Sequence, residues 1–219
     1  MDANNDAPDC DKRGEAASVI KAIAVDCGGV LLKMRWTAAL RRWEELLNMG
    51  SRSLGPYIWS LPCASQATVG EISADVAWRE VGTALGLSEC ATSRLRYDFD
   101  RADTVNFSLL RFLASLSTGV HIAIATNSWS DAHHKLRRVI RALPSAPATV
   151  ISSEIGAAKP SSIFYERLLS RLDVCGEECI LIDDSRLNVN ASSFLNIEGV
   201  LFRSNTQCIT DIRHVLTRC

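Results

Sequence analysis

Four short apolar runs, each stopped by polar residues, constrain this chain more than any other feature. "AIAV" at 22–25 stops at Asp26, and "IAIA" at 122–125 stops at Thr126 and Asn127. "ATVISS" at 148–153 reads as the third strand and closes on two serines, and "ILI" at 180–182 stops at Asp183 and Asp184. Runs that are β-branched and nearly continuous in apolar character predict strands covered on both faces. Helical periodicity separates them, in "NFSLLRFLASLSTG" (106–119), "SDAHHKLRRVIRAL" (130–143) and "SSIFYERLLSRLDV" (161–174). A helix is also expected over 188–196, then a last strand over 199–204 and a C-terminal helix. Alternating strands and helices predict an α/β fold with a parallel, Rossmann-like sheet.

The segment 34–105 has a different texture. "TAALRRWEELLNM", "ISADVAWREVGTALG" and "SECATSRLRYDFDRA" all carry apolar residues at helical spacing, with little strand signal. The expected organisation is a disordered tail over 1–17, a core made of 18–33 and 106–219, and an all-helical module over 34–105 inserted into it. A chain of 219 residues suits one such core with an insert.

Charge and cysteine usage exclude several function classes. A net charge of −1 gives no electrostatic footprint for nucleic acid or an anionic membrane. No apolar run approaches the length of a membrane span. The polar, acidic opening "MDANNDAPDCDKRGEAAS" does not read as a secretory signal. Eight scattered cysteines without a CxxC pair then read as reduced thiols in a cytoplasmic protein. "CGEEC" near His133 and His134 has the wrong spacing for common zinc motifs.

In a parallel sheet, the polar stops lie at the carboxyl ends of strands and share one edge, where open α/β sheets bind ligands. Asp26, Thr126, Asn127, Asp183 and Asp184 would meet there, with Lys159 from the loop after "VISS". That set suits attack of a carboxylate on a phosphate monoester. A Mg²⁺ ion would offset the repulsion between the two anions. Asp26 and Asp184 would supply its carboxylates beside Asp183, and Gly28 a backbone carbonyl. Thr126, Asn127 and the backbone at Gly29 would hold phosphate oxygens. Lys159 would add positive charge against the transition state. Glycines at 28 and 29 let the backbone approach metal and phosphate closely.

These residues resemble the haloacid dehalogenase superfamily, in the subgroup with a helical cap inserted after the first motif. "VDCGGVLL" is similar to the first motif, with Asp26 as nucleophile. "IAIATNS" is similar to the second, with Thr126, and "GAAKPSSIFYERLL" to the third, with Lys159. "LIDDSRLNVNAS" is similar to the fourth, with Asp183, Asp184 and Asn188. The resemblance implies a Mg²⁺-dependent phosphatase acting on a small phosphorylated metabolite through an aspartyl-phosphate. One position departs from the pattern. Most phosphatases of the superfamily carry a second aspartate two residues after the nucleophile, as proton donor to the leaving group. Gly28 stands there.

Two other readings follow from that departure. A 2-haloacid dehalogenase also lacks the second aspartate, but places a tyrosine there, and the paired Asp183 and Asp184 argue for a metal. A non-catalytic binding or regulatory protein on the same scaffold is the third. Blander roles stand beside these: Asp26 as a turn cap, Lys159 as a surface lysine, and Cys27 as a structural thiol. Trp36, Trp43, Trp59 and Trp78 are expected to pack the helical module, or one or two of them to line a substrate entrance.

Overall fold

The computed structural model of the chain describes residues 19–143 and 146–218. The tail expected over 1–17 lies outside the described residues. A five-stranded parallel sheet forms the centre, in the order β5-β4-β1-β6-β7. Its strands are β1 (Ala22–Val25), β4 (His121–Thr126), β5 (Ala148–Ile151), β6 (Cys179–Asp183) and β7 (Glu198–Leu201). β1 sits in the middle and pairs in parallel with β4 and β6, Val25 lying opposite Ile124 and Ile182. The chain builds outward on one side to β5, then crosses to the other side for β6 and β7. Asp26, Thr126 and Asp183 therefore share the carboxyl edge beside the crossover, where loops diverge and leave a crevice.

Both faces of the sheet are covered. Ile23, Val25, Ile180 and Ile182 pack into one apolar cluster with leucines of α6 (Phe107–Leu116) and α7 (Ala132–Ile140), and with α11 (Asn205–Arg218). Ala22, Ala24, Cys179 and Leu181 point the other way, into a cluster with Phe164, Tyr165 and Leu168 of α9 (Ser162–Leu172). This period-two sorting explains why the runs read as continuously apolar. Two short helices, α8 (Ser152–Ile155) and α10 (Arg186–Ser192), follow β5 and β6.

Between β1 and α6 lie five helices: α1 (Ala38–Leu46), α2 (Leu54–Ser60), α3 (Pro62–Thr68), α4 (Ala74–Ala84) and α5 (Glu89–Asp100). Their buried faces form a separate apolar cluster around Leu40, Ile58, Trp78, Val81 and Leu95, which Trp129 of the sheet layer also joins. Side chains open three of these helices: Thr37, Ser73 and Ser88 accept from the backbone N–H three residues on. α2 is capped differently. Buried Glu44 accepts from the N–H groups of Arg52 and Leu54 at 2.9 and 3.0 Å.

The structure corrects several expectations. The segment 34–105 is not wholly helical. β2 (Leu32–Met34) and β3 (Asp103–Val105) form an antiparallel pair where the chain leaves and re-enters the core. Two connections running side by side satisfy each other's backbone, and three residues are too few to show a strand period. α2 and α3 were not anticipated. The strand at 148–151 ends before the serines, which open α8. Cys27, Cys63, Cys90, Cys179 and Cys208 are free thiols, whereas Cys175 departs from the reduced reading and is disulfide-bonded. No described helix is long and apolar enough to cross a membrane.

Candidate active site

Lys159 organises the edge of the sheet. Its ammonium is buried and donates to Asp26 Oδ1 at 2.7 Å, Asp183 Oδ2 at 2.6 Å and the Ala125 carbonyl at 2.8 Å. All three N–H bonds thus have acceptors drawn from β1, β4 and β6. Burial pushes the ammonium down, but Asp26 and Asp183 outweigh it and hold Lys159 above its ordinary value. The group stays charged. A lysine this deep is not the plain surface residue of the bland reading.

Asp26 follows the central strand and is pushed up to about 6 by burial, against the lowering effect of Lys159 and with Asp183 adding repulsion. Asp183 is fully satisfied. Its Oδ1 accepts from the Ser185 N–H at 2.9 Å and the Asn188 amide at 3.0 Å, while Oδ2 takes Lys159. Its neighbour Asp184 is exposed, and no side chain is seen to bond its oxygens among the described contacts. Burial of its inner part and the charge of Asp183 raise its pKa. Adjacent strand-end residues point to opposite sides of the pleat, so one carboxylate is built in and the other is left open.

Gly29 lies directly under Asp184. Its φ is 75°, in the left-handed region, and a Cβ there would fall on the Asp184 carboxylate. Gly28 is different: a Cβ would have only Asp26 Oδ2 near it, at 3.9 Å. Room for a side chain exists at 28, and none is present. Cys27 is buried, and its thiol is pushed well up by burial and by the Asp26 charge, so it holds no thiolate.

Asn127, expected at the phosphate, has its amide engaged elsewhere. It donates to the Lys159 carbonyl and accepts from the Lys159 N–H, both at 2.9 Å. It clamps the lysine loop to the end of β4. Ser152, which the sequence did not single out, ties the same two loops: its buried hydroxyl accepts from the Ser128 N–H at 2.9 Å. Tyr165 Oη donates to the Asn188 carbonyl at 2.8 Å and so supports the residue that holds Asp183. A serine or tyrosine bonding backbone leaves no pattern in sequence.

Thr126, Asn127, Gly28 and Gly29 all face one cavity of about 380 Å³ between the sheet edge and the helical layer. Trp59 of α2 lines it, while Trp78 is buried and Trp36 and Trp43 pack within the helical cluster. His133 lies apart, paired with Glu154 on the surface.

Asp26, Asp183 and Asp184 form the one group of three potential metal ligands among the described residues. One carboxylate oxygen from each lies within 4.8 Å of the others. With all groups ionised, three carboxylates and one ammonium leave a formal charge of −2. An all-oxygen donor set carrying that charge fits a hard dication such as Mg²⁺.

A family model described as haloacid dehalogenase-like hydrolase matches residues 20–191. The chain belongs to that family. The match takes in Asp26, Thr126, Lys159, Asp183 and Asp184. The sesquiterpene phosphatase astK of Aspergillus oryzae is 27% identical over 202 residues, 91% of this chain and 98% of the relative. Among solved structures, a haloacid dehalogenase family enzyme of Bacteroides thetaiotaomicron, in complex with magnesium and inorganic phosphate, aligns with a TM-score of 0.69. It is 16% identical, over 84% of this chain and 94% of its own. An L-2-haloacid dehalogenase aligns at 0.65, 17% identical over 86% and 87% of the two chains. Likeness at these identities carries the haloacid dehalogenase-like fold, which hosts both chemistries.

Proposed function

We propose that this hydrolase is a Mg²⁺-dependent phosphatase of small phosphate monoesters, with Asp26 as its nucleophile. One observation carries the reading: a formal charge of −2 gathered at Asp26, Asp183, Asp184 and Lys159 on the ligand-binding edge of the sheet. A metal-independent attack on carbon has no use for three carboxylates with oxygens within 4.8 Å of one another. The names of the phosphatase relative and of the phosphate-bound neighbour point the same way.

Asp26, Asp184 and the Gly28 carbonyl would hold the cation, with Asp183 orienting the loop through Asn188. When bound, magnesium supplies the charge neutralisation that lets a carboxylate approach a phosphate. The Asp26 carboxylate attacks phosphorus. The ester P–O bond breaks and its electron pair leaves with the alcohol oxygen. Gly28 brings no carboxyl to that oxygen, so its proton comes from solvent. Water then attacks phosphorus, gives up a proton to solvent, the bond to Asp26 breaks, and the carboxylate is restored. Thr126 and the backbone at Gly29 orient the phosphate. Lys159 neutralises charge on Asp26 before the attack and after its release. The segment 34–105 serves as a cap that excludes bulk water and contacts the organic part of the substrate.

The test is release of p-nitrophenol from its phosphate ester with and without Mg²⁺, a leaving group that departs without an acid. Expected is metal-dependent turnover that Asp26→Asn abolishes. Chloride release from a chloroacid without metal would establish the dehalogenase instead. Absence of turnover on several phosphoesters would establish a binding protein.

A further inference from the structure

The cavity beside the site has a chemical character that the hydrolase reading does not explain. At one end it meets Gly28, Gly29 and Thr126, where a phosphate would sit. Leu32, Met34, Pro56, Trp59, Phe99 and Leu136 make the larger apolar part of its wall, with Asp103, Ser128 and Lys135 as further polar members. The apolar residues come from β2, α2, α5 and α7, so four elements converge to make an apolar chamber. Two of the few large apolar side chains exposed on the described surface, Met34 and Trp59, belong to it, 40% and 47% accessible. Both face the chamber from the helical layer and its stalk.

Polar side chains are a minority along that wall. Lys135 reaches into it, but its ammonium lies 3.1 Å from Asp100 and 3.9 Å from Asp131. Asp103 of β3 also lines it, its carboxyl pushed up by burial against the lowering effect of Lys135 and Arg138. A sugar or nucleoside seated here would leave its hydroxyls against Leu, Met, Pro, Phe and Trp side chains without partners. A hydrocarbon would replace water at the same surfaces at a gain.

We propose that the organic part of the substrate is a bulky hydrocarbon, seated in this chamber of about 380 Å³, with Met34 and Trp59 as the residues that select it. The proposal rests on the phosphatase reading for the placement of the phosphate, but its apolar wall can be tested separately. The phosphate would lie at the Thr126 end, and the hydrocarbon would run between α2 and α7 towards Phe99.

The experiment compares two phosphates of primary alcohols, farnesyl phosphate below its aggregation concentration and glycerol 3-phosphate, so that the leaving group does not decide the outcome. Expected with Mg²⁺ is a kcat/KM at least a hundredfold higher for farnesyl phosphate. Trp59→Ala and Met34→Lys, both at accessible positions and checked for folding by circular dichroism, should lower that ratio at least tenfold. Equal use of the two esters, preference for glycerol 3-phosphate, or a ratio that neither substitution moves would overturn the chamber's role and leave the phosphatase reading standing. Calorimetry of both esters on Asp26→Asn with Mg²⁺ separates the two ideas from the other side. Binding of farnesyl phosphate at least tenfold tighter, with a negative heat-capacity change, supports the apolar seat even where turnover of every ester is absent. Equal affinities sink it.

Discussion

At the scale of single residues, the site depends on one buried ammonium and two unequal glycines. Gly29→Ala must place a side chain where Asp184 lies and force an L-residue into the left-handed region, at about 1–2 kcal/mol. Expected is a loss of Mg²⁺ affinity of at least tenfold by calorimetry, with a lowered melting temperature. Gly28→Ala meets only an ordinary contact, and its melting temperature should stay much closer to that of the parent. Asp26 supplies the pH dependence. Burial raises its carboxyl to about 6, so in the metal-free protein it is protonated below that pH and ionised above it. A proton on Asp26 competes with the cation. Mg²⁺ affinity should therefore fall as pH drops through about 6, and Asp26→Asn should remove that dependence. The sign is fixed by the direction of the shift: a carboxyl held low would bind the cation unchanged down to about pH 4.

At the scale of elements, apolar periodicity made the sheet and its covering helices legible. β1 and β6 bury all their residues, and the sequence carries that as unbroken apolar runs. The four polar strand ends were legible for the same reason: a carboxylate or hydroxyl after a buried strand stands out. Bonds between loops were not legible. Asn127 looked like a ligand because of its position, yet its amide holds the Lys159 backbone, a contact between residues 32 apart in sequence. β2 and β3 were missed because their pairing is long-range and each spans three residues. The α2 cap was missed likewise, since its acceptor sits in α1. Glu44→Ala leaves the N–H groups of Arg52 and Leu54 without an acceptor, at about 1–3 kcal/mol for a buried donor. Expected is a shift of that size in chemical denaturation, with a smaller one for Glu44→Gln, which keeps an acceptor oxygen. Equal losses for the two substitutions would show that packing, not capping, is at stake.

At the scale of the whole molecule, the helical layer and the sheet layer are joined by the packing of Trp129 into the helical cluster and by a few polar contacts. Arg96 of α5 bonds Asp131 at the start of α7 at 3.0 Å and Asp75 of α4 at 2.6 Å. The Ala74 N–H donates to Ser130 Oγ at 2.9 Å. The part-buried contacts to Asp131 and Ser130 contribute about 1 kcal/mol each. Arg96→Ala should change the melting temperature little. Its KM for the preferred ester should rise several-fold, more than kcat falls, as read by steady-state kinetics. A large stability loss with unchanged KM would instead make Arg96 a scaffold residue.

Trp59 stands half-exposed in the chamber wall and meets Trp129 edge-on, with ring centroids 5.2 Å apart. Indole emission follows the polarity around the ring, and Trp129 itself is buried. The molecule thus carries a built-in optical gauge: whatever displaces water from that wall alters the light the protein emits, with no dye attached.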